Sequence, residues 1–441
     1  MTLSVADAFV SFLFLVHTVY SLNMQFEEIA SFVTVDYLWD DDHTRSLYEQ
    51  TGQFAVSNNA ITGIKVAKSG DIFVSVPRWM AGVPSSLNKL VPNPNGPGYV
   101  LDPWPSWNFN AIGTGALQYA QSFIIDSKNK MWIPEVGRTN FYDADTSLET
   151  SGPAGVLIVD VATGVLESRY NFPENVVSYN NSFVNDIVLD EATGYAYFTN
   201  TWADGGIIVY DSVQRRSHMF SGPCTERNSS YDFCVNGLCY GTDGIGASPS
   251  DGIALSADGS VLYFSAVQGI GLYAINTTLL RDFTMTNDEF QRQVKFLGYK
   301  SGCSDGLLLL GNDNLYFGNI QDSSLGSLPS VSSYFAEASA TDSAQTDPTL
   351  AAGDSIDSFA SPSTLNWIDT FSIDFNNSDA FFFTSNKLNL FFTTNGMDFT
   401  GQSGPNFQLF HAVPQSSGGS ANGLRCFRLL AAVVMSAMLL L

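Results

Sequence analysis

Ser250 to Phe264 reads SDGIALSADGSVLYF, and the way this stretch is read decides the fold. A polar start leads into the apolar run Ile253-Ala254-Leu255, Asp258-Gly259 supplies a turn, and Val261 to Phe264 returns as a second, aromatic-ended run. Two β-prone runs joined by an Asp-Gly turn make a hairpin. The same pattern recurs as TGIKVAKSGDIFV from Thr62, QSFIIDSKNKMWI from Gln121, NDIVLDEATGYAYFT from Asn185, SDGLLLLGNDNLYF from Ser304 and IDTFSIDFNNSDAFFFT from Ile368. Copies whose starts recur about every 55 to 65 residues mark a repeat architecture.

Working outward, further strand pairs lie between the copies, among them Val156 to Phe172 and Gly205 to Phe220. Two hairpins per period give a four-stranded blade, and a closed ring of blades leaves no long exposed edge. The expected fold is therefore all-β, a six-bladed β-propeller of four-stranded antiparallel blades over residues 22–415. A pair of β-sandwiches would explain the strands but not the shared consensus. Composition agrees, with only 14% charged residues and 13% aromatics, a profile of strands and turns rather than of solvated helices. Gln321 to Pro362 is rich in Ser, Ala and Asp and reads as a long insertion between the fifth and sixth copies. Asn93 to Asn110, rich in Pro and Trp, reads as a packed surface loop.

Both ends read as processing signals. The apolar run Phe9 to Val16, followed by Val19-Tyr20-Ser21, is expected to be a signal peptide over residues 1–21. Small residues from Ser416 to Ser420, a polar spacer and the apolar tail Leu429 to Leu441 form the pattern of a GPI-attachment signal over 416–441; the alternative is a tail anchor. That tail is shorter than the ~20 residues a spanning helix needs. An extracellular protein, held on the cell surface by a lipid anchor, is the expectation. N-x-S/T sequons at Asn180, Asn228, Asn276 and Asn376 fit export. Setting aside Cys426 in the tail, Cys224, Cys234, Cys239 and Cys303 are even in number, and three pairings are open. A formal charge of −24, from 43 acidic against 19 basic residues, argues against nucleic acid as a partner and fits cations or amines.

Pro77-Arg78-Trp79-Met80-Ala81-Gly82-Val83-Pro84-Ser85-Ser86-Leu87 resembles the PRW-x-x-GVP-x-(S/T)-L segment of the Yellow and major royal jelly protein family. Asp251-Gly252-Ile253-Ala254-Leu255-Ser256 with Leu262-Tyr263-Phe264 resembles its DGIALS…LYY, and Asn386-Lys387-Leu388 its late N-(R/K)-L strand. The resemblance runs from about Tyr37 to Phe392 and implies a six-bladed propeller with a ligand pocket at one end of the channel. It breaks at Gly318-Asn319-Ile320, where the family has C-W-N. The family includes pigmentation proteins linked to dopachrome conversion, amine binders and nutritional proteins, so the resemblance alone leaves activity open.

The first strand of each blade lines the channel, so polar residues at the blade starts converge there. Asn185-Asp186, Ser250-Asp251 and Ser304-Asp305 place carboxylates at three starts, and Asp369 stands as a fourth. Such oxygens could hold a hard cation such as Ca²⁺, with Asn185, Asp186 and Asp251 as metal candidates, or pair with an amine. The blade starts also resemble those of gluconolactonase-type propellers, where Asn and Asp hold a catalytic metal. Equally, Asp-Gly and Asn-Asp cap turns and tie blades together. Arg78 and Trp79 could clamp an anion or stack on an aromatic ligand, and Arg78 could instead join two blades. Ligand-binding candidates are thus Arg78, Trp79, Asn185, Asp186, Asp251 and Asp305, with Asn386 from the late family strand. Glu135, at the far end of a hairpin, reads as a structural acid. His17, His43, His218 and His411 are too scattered for a zinc cluster or a triad, and no nucleotide loop or G-x-S-x-G elbow occurs. Three functions follow: a binder of a small molecule such as an aromatic amine, an enzyme of tautomerase or metal-dependent lactonase type, or an adhesion scaffold.

Overall fold

Strands dominate because the repeated hairpins bury both of their faces. The computed structural model describes residues 24–231, 233–240, 248–338, 358–360, 365–391, 393 and 396–415. Within them lie six four-stranded antiparallel sheets, the blades of a β-propeller. Their inner strands are Ile64–Val66, Ile124–Ile125, Val184–Asp190, Ser250–Leu255, Ser304–Leu309 and Trp367–Ile373, in blades 1 to 6. In the fourth blade, Leu262 and Phe264 pack toward blade 3 with Tyr197 and Val209, whereas Tyr263 packs toward blade 5 with Leu315 and Phe317. Alternate side chains therefore serve two neighbouring blades, which is why the strands read as nearly unbroken apolar runs. Each such fully buried aromatic contributes about 1.5–3 kcal/mol of burial.

The ring closes on both ends of the described chain. Met24–Phe32 is the outermost strand of blade 6, pairing Met24 with Pro414 and Phe32 with Phe407. Blade 6 is joined to blade 1 by Val66 N–H donating to Ser372 Oγ (2.9 Å) and Thr384 Oγ1 donating to Thr62 O (2.7 Å). Within blade 6 the pairings Trp367 with Asn386 and Asn386 with Phe407 lie at one end of the ring, and Ile373 with Phe381 and Phe381 with Ala412 at the other. Phe407–Pro414 thus runs from the end where the inner strands begin to the opposite end.

Two sequence expectations are corrected. Residues 321–362 are not wholly an insertion: Ser324–Leu328 and Ser358–Ala360 are the two outer strands of blade 5, and Val331–Glu337 is a helix. Leu325, Leu328 and Val331 are fully buried, so a few well-placed apolar residues suffice in a segment that is polar on average. Likewise Tyr99–Pro103, inside the supposed loop 93–110, is the outer strand of blade 1. The rest of that segment does pack, with Trp107 stacked on Trp39 at 5.0 Å.

Cys234 and Cys239 form a disulfide across a two-stranded hairpin, while Cys224 and Cys303 are buried thiols in separate core clusters. Asn180, Asn228 and Asn376 are exposed, and Asn276 is half-buried, capping a short helix. The expected signal peptide and C-terminal attachment signal fall outside the described residues, among which no helix is long and apolar enough to cross a membrane.

Candidate functional site

In blades 3 to 6 the inner strand slips register with its neighbour at one equivalent place. The slips lie between Val184 and Ile187, Ser250 and Ile253, Ser304 and Leu307, and Ile368 and Phe371. A bulge leaves residues outside the ladder and re-aims their side chains. The first residue of each bulge is Asn185, Asp251, Asp305 or Asp369, and all four line one funnel of about 40 Å³, or about 450 Å³ with the open solvent at its mouth included. The second residue is Asp186, Gly252, Gly306 or Thr370. A Cβ on Gly252 would lie 2.3 Å from Asp305 O, and one on Gly306 2.3 Å from Asp369 O. The Asp-Gly pairs are therefore not turn caps. Glycine lets adjacent inner strands approach, and the bulge turns the preceding carboxyl inward.

The carboxyls form a connected set. Asn185 Nδ2 donates to Asp251 Oδ2 at 2.7 Å, Trp367 Nε1 to Asp305 Oδ2 at 2.6 Å, and Asn386 Nδ2 to Asp369 Oδ2 at 2.9 Å. Asp251 and Asp305 face the same funnel and perturb each other's titration. Burial pushes Asp251, Asp305 and Asp369 well above the usual carboxylate range. Mutual repulsion adds to this: Asp186 and Asp369 act on Asp251, Asp251 on Asp305, and Asp305 on Asp369. Trp79, Tyr142, Phe183 and Trp367 supply aromatic walls around them.

The sequence candidates divide accordingly. Trp79, Asn185, Asp251 and Asp305 line the funnel together. Asp186 does not: its backbone position matches Gly252, not Asp251, and it lines a second cavity at the opposite end of the channel. There Ser122 Oγ donates to Asp186 Oδ1 at 2.8 Å. Arg78 is also not in the wall. Its Nε donates to Val83 O (3.0 Å), and its terminal nitrogens donate to Pro84 O (2.8 Å), Asn110 O (2.6 Å) and Gln118 O, joining blade 1 to the segment that leads into blade 2. Burial lowers even this guanidinium to about 10. Asn386, 1% exposed, stands behind Asp369 and also donates to Ile61 O, so it positions rather than contacts. Glu135 accepts the backbone N–H groups of Gln118 (2.8 Å) and Tyr119 (2.9 Å), a structural task.

The metal candidates do not fit a cation site. Asn185 turns its Nδ2 toward Asp251, Asp186 faces the far cavity, and among the described residues no group of three His, Cys, Asp or Glu side chains could hold a metal ion. Sequence reasoning passed over Trp367, Tyr142 and Lys65. Lys65 had a visible signal, a charged residue within the apolar inner strand of the first copy.

The profile of the family described as major royal jelly protein matches residues 120–395. This chain belongs to the major royal jelly protein family. The Pro77–Leu87 segment lies ahead of the matched residues, whereas the acidic blade starts all lie within them. This family member is 27% identical over 285 residues to Protein yellow of Drosophila yakuba and of Drosophila melanogaster, an alignment covering 60% of this chain and 50% of each relative. The chain thus spans about half the length of the curated relatives it matches. Among solved structures it is similar to a luciferin-regenerating enzyme (TM-score 0.47, 11% identity, 90% of this chain and 96% of that one). It is also similar to a gluconolactonase from Xanthomonas campestris (TM-score 0.44, 11% identity, 86% and 97%). No activity is carried over from either.

Proposed function

We propose that this major royal jelly family protein binds a small aromatic amine, in its protonated form, in the funnel of the propeller, and that it does so outside the cell. The observation that carries the reading is the convergence of Asp251, Asp305 and Asp369 on one cavity walled by Trp79 and Trp367. Three buried carboxyls in one funnel are costly, and an ammonium ion entering it offsets their charge. The indole and phenol rings add a face for the ligand's ring and a cation–π contribution.

Binding is coupled to protons. An aliphatic ammonium group titrates near ~10, far above neutrality, so the ligand stays charged while the raised carboxyls lose protons to meet it. Affinity therefore rises with pH through the raised carboxyl range, and protons are released on binding. Isothermal titration with serotonin and dopamine, in two buffers of different ionisation enthalpy, tests this. Binding with buffer-dependent heat is expected; no heat with either amine overturns the reading.

One observation favours a second reading, proton-transfer catalysis of the tautomerase kind. Asp251 and Asp305, two carboxyls raised by burial that line the same cavity, would serve as general acid and base. Dopachrome decay at equal rates with wild type and Asp251→Asn would remove it. A metal-dependent lactonase is not supported, given how Asn185 and Asp186 are directed.

A further inference from the structure

The channel has a second mouth at the ends of the inner strands, and its chemistry is opposite to that of the funnel. The hollow there holds about 90 Å³, or about 530 Å³ with the open solvent at its mouth included, and is walled by apolar side chains such as Ile124, Val188, Leu308, Ile373 and Phe375. Ile373 is 41% exposed at the rim, a large apolar side chain left in solvent beside an apolar hollow. The polar exceptions include Lys65 and Asp186. Lys65 is only 9% exposed, and its Nζ donates to Phe371 O alone among the described residues. Asp186 Oδ1 accepts from Ser122 Oγ and Ile187 N–H, while Oδ2 has no donor among the described residues. Both line the same hollow and attract one another, Lys65 being drawn to Asp369 as well, so a cation with donors to spare and an acid with a free acceptor oxygen share one wall.

We propose that this far-end cavity is a second ligand site, taking the hydroxyl-bearing end of a neutral, mainly apolar molecule whose remaining chain reaches out of the hollow over Ile373. The hydroxyl donates to Asp186 Oδ2 and accepts from Lys65 Nζ, and the hydrocarbon covers the exposed face of Ile373 and the wall around it. A carboxylate head is excluded by Asp186 and an ammonium head by Lys65, so charge separates this ligand from the one in the funnel.

The test is calorimetric titration of the full chain with geraniol, and with geranylamine and geranic acid as charged molecules of the same skeleton. Geraniol is expected to bind one site, with both charged analogues at least tenfold weaker. Ile373→Arg, at an exposed rim position, should weaken geraniol at least tenfold without altering thermal melting or serotonin binding. Lys65→Met should weaken geraniol as well. Absence of geraniol binding, binding that Ile373→Arg leaves unchanged, or one-for-one displacement of geraniol by serotonin would each overturn the proposal. Should serotonin not bind at all, the amine reading fails and the geraniol titrations still decide this one.

Discussion

Asp251 is held where its charge is least welcome and most useful. Its folded pKa is raised by burial first and by the charges of Asp186 and Asp369 second. A carboxyl raised in this way contributes its full stability below its unfolded value of about 3.9, and that contribution is lost as pH rises through the folded value. Asp251→Asn should therefore melt progressively higher than wild type as pH is raised from about 4, measured by calorimetry without ligand. The same substitution should weaken a protonated amine at least tenfold, about 1.4 kcal/mol. A variant that gains stability and loses affinity together marks a carboxyl kept for its ligand. Arg78 gives the contrary case: Arg78→Met strands several buried carbonyls and should cost about 3 kcal/mol or more in denaturant unfolding, with little change in amine affinity in the protein that remains folded. Arg78 and Trp79 are adjacent in one family motif, yet one is framework and the other wall. Nothing in the sequence separates them, because the guanidinium's partners are main-chain carbonyls, which carry no sequence signature.

At the scale of the element, the bulge in the inner strand of blades 3 to 6 does most of the positioning. It converts a blade start into a side chain pointing down the axis, and it needs a small residue next to it wherever the adjoining inner strand comes close. Gly306→Ala would bring a Cβ to 2.3 Å from Asp369 O, so blades 5 and 6 must part. A loss of about 1–3 kcal/mol is expected, as for other overpacked sites, together with loss of amine binding because Asp305 and Asp369 separate. Equal melting and equal affinity would refute it. Much of this was legible: the repeated Asp-Gly after a polar residue located the blade starts, and the hairpin turns such as Asp258-Gly259 fell where the turn chemistry placed them. The bulge was not, since register depends on the partner strand. For that reason Asp186 was grouped with Asp251, when Asn185 is its counterpart. The two outer strands of blade 5 escaped for another reason: Ser324–Leu328 carries only Leu325 and Leu328 as apolar markers among serines and a glycine, and the edge strand Ser358–Ala360 is only three residues long.

At the scale of the molecule, closure depends on the strand Met24–Phe32, which covers the edge of Phe407–Pro414 from the other end of the sequence. A chain begun at Val33 should lose cooperative melting and associate through that uncovered edge, visible in calorimetry and size-exclusion chromatography. If the C-terminal attachment signal is used, a phosphatidylinositol-specific phospholipase should release the protein from cells; a tail anchor would resist it. The run of the last strand has a consequence for such a tethered molecule. Because Pro414 lies at the end of the ring away from Asp251 and Asp305, a tether continuing from there would stand the propeller like a goblet on its stem. The acidic bowl would open to the surrounding fluid, while the hollow at Ile373 and Phe375 would look down at the lipid. The two ends of a single channel would then sample two different reservoirs, one aqueous and one oily, without the protein having to move.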